Sequence, residues 1–165
     1  MLTRIVIRNG LVMFACLVIF FLIMHVLNLS KLYHFRIFNG VIHIIFMTSS
    51  IRAFLKHQSE DYNYLSGVGI GIVTSMIGIV LFCIFQLVFL ALNPEFMTSL
   101  QENVPYIGEH LTPFTAALSI FMEAVAISLI GSYVIMRILE KSMEKELRET
   151  DRTTVTTGAT PADRI

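Results

Sequence analysis

Four polar side chains stand inside long apolar runs of the sequence: His25, His43, Gln86 and Glu123. In an apolar environment such groups can carry protons, hold a solute or hydrogen-bond one helix to another. A bare carboxylate in hydrocarbon is costly, so Glu123 is expected to face neighbouring helices and to be paired or protonated. The four residues are therefore the candidate buried polar cluster of this chain.

This cluster has a structural and a functional interpretation, and both stay open on the sequence alone. In the structural one, hydrogen bonds fix the register of the helices, which is the commoner role of such residues. In the functional one, the cluster is a proton relay or a pocket for a small solute. A haem held by His25 and His43 is a weaker alternative, because no haem motif accompanies two histidines on separate runs.

Other catalytic and metal-binding chemistry is not predicted. A metal site would need a third ligand, and none can be placed beside the two histidines. No Ser/His/Asp or Cys/His set can be assembled, because the candidates lie on separate runs at different depths. Cys16 and Cys83 both stand in apolar runs, as small packing residues do. We therefore expect no enzyme, no metal and no cofactor.

The composition places these residues in a membrane protein. The chain has 165 residues, of which 55% are hydrophobic and 15% charged, and its mean hydropathy is +0.73. Soluble domains are about 45–50% apolar and about 25% charged. A soluble globular enzyme, a disordered chain and a disulfide scaffold are therefore excluded. The 12 basic and 12 acidic residues cancel, which leaves no basic excess for nucleic acid.

The apolar runs predict an all-α, polytopic bundle of four transmembrane helices. The expected spans are 11–29, 37–55, 67–92 and 114–136. The second span is the weakest, since it can cross only if Arg36 and Arg52 extend to the membrane surfaces. A re-entrant or surface helix is the alternative there. A single membrane domain of residues 1–150 is expected, with the last helix continuing beyond the membrane.

Charge placement favours four crossings. With the N-terminus in the cytoplasm, all Lys and Arg residues except Lys31 and Arg36 lie on the cytoplasmic side, as the positive-inside rule requires. Both termini are then cytoplasmic and the loop 93–113 is external. A short amphipathic helix is expected near Glu95–Glu102 in that loop, and whether the loop binds anything is left open. The Thr-rich segment 151–165 is expected to be a disordered cytoplasmic tail.

Small residues recur on two of the predicted spans, mostly at intervals of four. They are Gly67, Gly71, Ser75 and Gly78 on the third span and Ala124, Ser128 and Ser132 on the fourth. Residues four apart share a helix face, and small side chains let two backbones approach. We predict that the third and fourth spans cross closely there. A phosphate-binding loop is rejected, because no strand precedes the glycines and no Lys stands at the required place.

The third span and its surroundings also carry a family resemblance. This span opens with a Gly-rich run, has an Ile77-Gly78 pair midway and is followed by Asn-Pro-Glu-Phe at 93–96. These features resemble an uncharacterised bacterial, Bacteroidota-type family of four-helix membrane proteins, a domain of unknown function. Segments 50–56 and 127–130 are similar to that family as well. The resemblance implies a four-span topology in a bacterial inner membrane, and it implies no catalytic residue.

The sequence thus predicts a small multi-pass integral membrane protein. The leading hypothesis is a non-enzymatic accessory or structural subunit, or a self-associating bundle. The alternative is a small transporter or proton-coupled factor that uses the polar cluster around Glu123. The expected partners are the lipid bilayer and either further copies of the chain or a larger membrane complex, and not nucleic acid.

Overall fold

The computed structural model describes residues 2–27, 36–57, 63–103 and 110–157. Its helices are α1 (Leu2–Val26), α2 (Arg36–His57), α3 (Tyr64–Leu92), α4 (Pro94–Asn103) and α5 (Pro113–Thr157). Four of them, α1, α2, α3 and α5, are long and apolar enough to cross a membrane. The prediction of an all-α bundle with four candidate membrane spans is therefore confirmed.

Local sequence signals explain where the helices begin. The side chain of Asn63 caps α3 by accepting a hydrogen bond from the backbone N–H of Leu65 at 3.0 Å. Prolines occupy the first positions of α4 and α5, where the missing N–H costs nothing. Just before α5, the Thr112 hydroxyl accepts from the backbone N–H of Thr115 at 3.2 Å.

Two helices bear on what the sequence predicts, α2 on the alternative for the second span and α5 on the expected disordered tail. α2 is one continuous helix that packs against α1, α3 and α5, and it is long and apolar enough to cross a membrane. α5 continues past residue 150 to Thr157, so the first part of the expected disordered tail is helical. The rest of that tail, 158–165, lies outside the described residues. α4 forms where the amphipathic helix of the loop was expected.

The spanning helices pack with α2 and α3 in the centre. These two contact each other, and each also contacts both α1 and α5, which lie on opposite sides of the central pair. α4 rests on the end of α3. The apolar core forms three clusters along the bundle, one around Met47 and Phe54, one around Met13 and Phe82, and one around Leu90 and Met97.

The two ends of the bundle differ in character. At one end, called here the basic end, Phe54 of α2 and Met136 of α5 lie against Gly67 of α3. Arg52, on α2, and Arg137, on α5, are exposed near this end. At the opposite end, called the α4 end, α4 is held by the cluster that contains Leu90, Met97 and Ala116.

Candidate functional site

His43 is the most enclosed titratable side chain of the spans, with 2% of its surface exposed. It lies on α2 and faces α5, where its Nε2 is 3.2 Å from the hydroxyl oxygen of Ser128. The same hydroxyl donates to the carbonyl oxygen of Ala124 at 2.7 Å. A hydroxyl has one proton to give, so the imidazole donates from Nε2 and Ser128 accepts. This geometry selects the tautomer of His43 that carries its proton on Nε2.

The contact between α2 and α5 continues one helical turn further. The Ser132 hydroxyl lies 2.5 Å from the carbonyl oxygen of Ser128 and 3.1 Å from the sulfur of Met47. Both serines are fully buried, and each bonds back to its own helix. His43, Met47, Ser128 and Ser132 are called the α2–α5 seam below. Its hydroxyls are satisfied locally, which lets the two helices pack closely without an unpaired polar group.

The other members of the predicted cluster lie elsewhere. Gln86 is buried on α3, four residues from the core residues Phe82 and Leu90. His25 is half-buried near the α4 end. Its contacts therefore belong to a different level of the bundle from the α2–α5 seam.

The surroundings of His25 are aromatic. Its ring stacks on Phe21 at 6.3 Å and meets Phe89 and Phe96 edge to face at 5.1 and 5.0 Å. Its Nδ1 is buried and has no hydrogen-bond partner among the residues that the structure describes. The His25 imidazole thus packs as an aromatic ring where α1 contacts α3 and α4.

Glu123 departs from the expected position. Its side chain is exposed on α5, whereas Ala124 beside it is buried. The buried face of α5 follows Ala124, Ser128 and Ser132, and a step of one residue turns Glu123 by about 100° away from that face. The expectation that Glu123 faces the bundle interior is corrected accordingly. The four predicted residues do not form one buried cluster.

A polar contact that the sequence reasoning missed joins α1 to α2. The side-chain amide of Asn9 donates to the Ser50 hydroxyl at 2.8 Å, and both residues are buried. In the sequence, the signal for this contact is Asn9, an amide directly before a long apolar run. Asn9 is not predicted as a buried residue because the predicted first span, 11–29, begins after it.

The predicted small residues occupy close helix contacts. A β-carbon on Gly71 of α3 would lie 2.8 Å from the Ser132 hydroxyl oxygen and 2.9 Å from Cδ1 of Ile51. Ser75 is fully buried and donates to the carbonyl oxygen of Gly71 at 2.9 Å. Gly78 faces α1 rather than α5. The Met13 side chain and the Gly10 carbonyl of α1 lie against it. α3 therefore uses glycines on two faces, toward two different helices.

The chemistry available in this interior is hydrogen bonding between helices. Among residues 2–27, 36–57, 63–103 and 110–157, no group of three or more His, Cys, Asp or Glu side chains is placed to hold a metal ion. The polar contacts are pairs, such as Asn9 with Ser50 and His43 with Ser128. Each pair joins two helices and is enclosed by apolar side chains.

Comparison with known proteins places the chain in a family. Searches of curated proteins and of solved structures give no match. A family model described as "Protein of unknown function (DUF4199)" matches residues 8–108, which is more than half of the chain. The matched segment includes most of α1 and all of α2, α3 and α4, and it ends before α5. The chain therefore belongs to the DUF4199 family of proteins of unknown function.

Proposed function

We propose that this protein is a non-enzymatic accessory or structural membrane protein that self-associates through the outward face of α5. The observation that carries the proposal is that Ser119, Glu123 and Ala126 are all exposed and share the outward side of α5. Glu123 lies about 15 Å along the helix axis from Pro113, at about 1.5 Å per residue. That distance is half of a hydrocarbon core of roughly 30 Å, so Glu123 stands near the middle of its span.

Carboxyl groups at this depth of a membrane span usually face other helices rather than lipid. The neighbours of Glu123 on the same face suit close helix contact, because Ser119 and Ala126 are small and exposed. A second copy presents the same face. Across a two-fold axis, the Glu123 side chains of two copies would lie close to each other and could share hydrogen bonds. Self-association would therefore cover this exposed face of α5 with the same face of a second copy.

The interior of the bundle supports a structural role. The serines of the α2–α5 seam bond back to their own helices, and the glycines of α3 bring backbones together. These features hold helices in register. We propose that the protein performs no chemistry of its own.

Cysteine cross-linking in membranes tests the proposed face. In a chain with Cys16 and Cys83 replaced by alanine, Ser119→Cys or Ala126→Cys should give disulfide-linked dimers on oxidation. The matched control is Ile84→Cys, on the exposed face of α3 and near the same core cluster as Ala124. It should give few dimers.

Variants of Glu123 complete this test. Glu123→Leu removes the polar contact and should lower the cross-linking at position 119, whereas Glu123→Gln keeps a hydrogen-bonding group and should retain much of it. The proposed contact face would be disproved by equal yields of cross-linked dimer at positions 84 and 119. It would also be disproved if Glu123→Leu left the yield at position 119 unchanged.

A small transporter or proton-coupled factor is the second candidate, and the burial of His43 favours it. A titratable imidazole enclosed between two spans is a group that proton-coupled proteins use. Liposomes that contain the protein and a pH-sensitive dye would report such a flux. A flux that is abolished by Glu123→Gln or His43→Gln, with unchanged thermal stability, supports the transporter. Loss of stability without any flux supports the structural role.

We also propose that the protein resides in the inner membrane of a bacterium with both termini in the cytoplasm. The support is the distribution of Lys and Arg, which places Arg52, Lys56 and Arg137 at the basic end of the bundle. A tag after Ile165 should be inaccessible to protease in spheroplasts, whose outer membrane has been opened, and cleaved after lysis. Cleavage in unlysed spheroplasts would reverse this orientation.

A further inference from the structure

The outward face of α2 changes from apolar to basic along one stripe. Ile45, Ser49, Arg52 and Lys56 are all exposed, and their spacings of four, three and four place them on one side of the helix. The opposite side of α2 carries the core residues of the bundle. The stripe is therefore directed away from the bundle, and its basic part lies at the basic end.

Two open cavities of 380 Å³ each lie along this stripe. The first, between α2 and α5, is lined by Arg52, Leu55, Lys56, Leu139, Ser142 and Met143. The second, on α2 alone, is lined by Ile44, Ile45, Thr48, Ser49 and Arg52. Arg52 lines both cavities. The Arg52 guanidinium thus lies between a cavity that also contains Lys56 and a cavity that also contains Ile44 and Ile45.

The two basic side chains of the first cavity are available to an anion. Neither Arg52 nor Lys56 takes part in a salt bridge within the part of the chain that the structure describes. The acidic residues Glu140 and Glu144 of α5 are already engaged by arginines of α5 itself, each at 2.9 Å. The positive charge at the first cavity is therefore not cancelled by these neighbours.

We propose that this surface binds an anionic phospholipid. Arg52 and Lys56 hold the phosphate in the first cavity, as basic pockets between membrane helices hold anionic headgroups. One acyl chain follows the second cavity along Ile44 and Ile45. The second cavity argues for a lipid rather than a soluble anion, because Ile44 and Ile45 line it on the outward face of a candidate membrane span, where an acyl chain can pack.

Lipid binding to the full-length protein in detergent tests the proposal. Native mass spectrometry would compare phosphatidylglycerol with phosphatidylcholine of the same acyl chains. We expect phosphatidylglycerol to bind more tightly, and replacement of both Arg52 and Lys56 by glutamine to weaken it roughly tenfold or more. The control replaces Lys141 and Lys145 by glutamine, since these exposed residues have the same spacing and line neither cavity. It should change the affinity less than about twofold.

Further arms separate the lipid from free phosphate. Ile45→Trp fills the second cavity and should weaken phosphatidylglycerol binding while leaving the basic residues in place. Inorganic phosphate should compete poorly with the lipid. The proposal is overturned if the two lipids bind equally, if the lysine control loses as much affinity as the Arg52 and Lys56 variant, or if phosphate competes fully and Ile45→Trp has no effect. All these substitutions are at exposed positions, and circular dichroism checks that each variant folds.

Discussion

Gly10 of α1 and Gly78 of α3 bring their helices so close that a β-carbon on Gly78 would lie 2.8 Å from the carbonyl oxygen of Gly10. The Met13 side chain covers the same position and can move, but the Gly10 carbonyl belongs to the backbone and can move only with α1. Gly78→Ala should therefore separate α1 from α3. We expect a loss of about 1–3 kcal/mol of stability, as in other overpacked cores, measured as a lower melting temperature in detergent.

Gly69→Ala is the matched control on the same helix. A β-carbon there meets no atom within 4 Å, and alanine is a better helix former than glycine. The variant should melt at the same temperature as the parent chain or slightly higher. A similar loss of stability in both variants would show that glycine matters for α3 itself and not for its contact with α1.

The environments of His43, which is buried, and His25, which is half-buried, predict different responses to the same substitution. His43→Phe removes the donor to Ser128 and places a larger ring in a fully enclosed site, so it should destabilise the fold by about 1–3 kcal/mol. His25→Phe leaves one aromatic ring among others and removes an unsatisfied nitrogen, so stability should be unchanged or higher. Thermal unfolding of both variants tests these two predictions. A large loss of stability in His25→Phe would contradict the role given to the His25 ring.

The sequence predicts the helices of this fold better than the direction of their side chains. Spanning helices follow from the thickness of the bilayer, which demands long apolar runs, and prolines and charges mark where such runs begin and end. α3 and the start of α5 lie close to the expected positions for that reason. α1 begins at Leu2, before the expected start at residue 11, because the turns that contain Arg4 and Arg8 are also helical.

Glu123 shows where prediction from sequence stops. Counting residues along a span predicts the depth of a side chain in the membrane. Predicting the direction of that side chain around the helix axis requires a helix with one polar and one apolar face. In a membrane bundle both the lipid and the core are apolar, so α5 carries no such signal around Glu123. The residue was expected beside His43, and it lies instead on the outward surface. Only the packing of Ala124 and Ser128 against α2 and α3 reveals this.

The hydrogen bond between Asn9 and Ser50 should contribute measurably to the pairing of α1 with α2. Ser50→Ala leaves the buried amide of Asn9 without its acceptor, and polar contacts between membrane helices average about 0.6 kcal/mol with a maximum of about 1.7. A double-mutant cycle with Asn9→Ala should give a coupling in that range. Thr48→Ala is the control, because the Thr48 hydroxyl donates to the Ile44 carbonyl of its own helix at 2.7 Å and not to another helix among the described residues. A coupling free energy of zero would mean that this hydrogen bond does not stabilise the contact between α1 and α2.

The attachment of α4 to the bundle depends on one face of a short helix. Met97 is 7% exposed and packs with Leu90 and Ala116, whereas Thr98 beside it is exposed. Met97→Asp places a charge in this cluster and should detach α4, because a helix of 10 residues is marginal without packing. Hydrogen exchange should then rise in residues 94–103 and stay unchanged in α2. Thr98→Asp adds the same charge on the exposed side and should leave exchange in α4 slow; equal exchange in the two variants would contradict the docking through Met97.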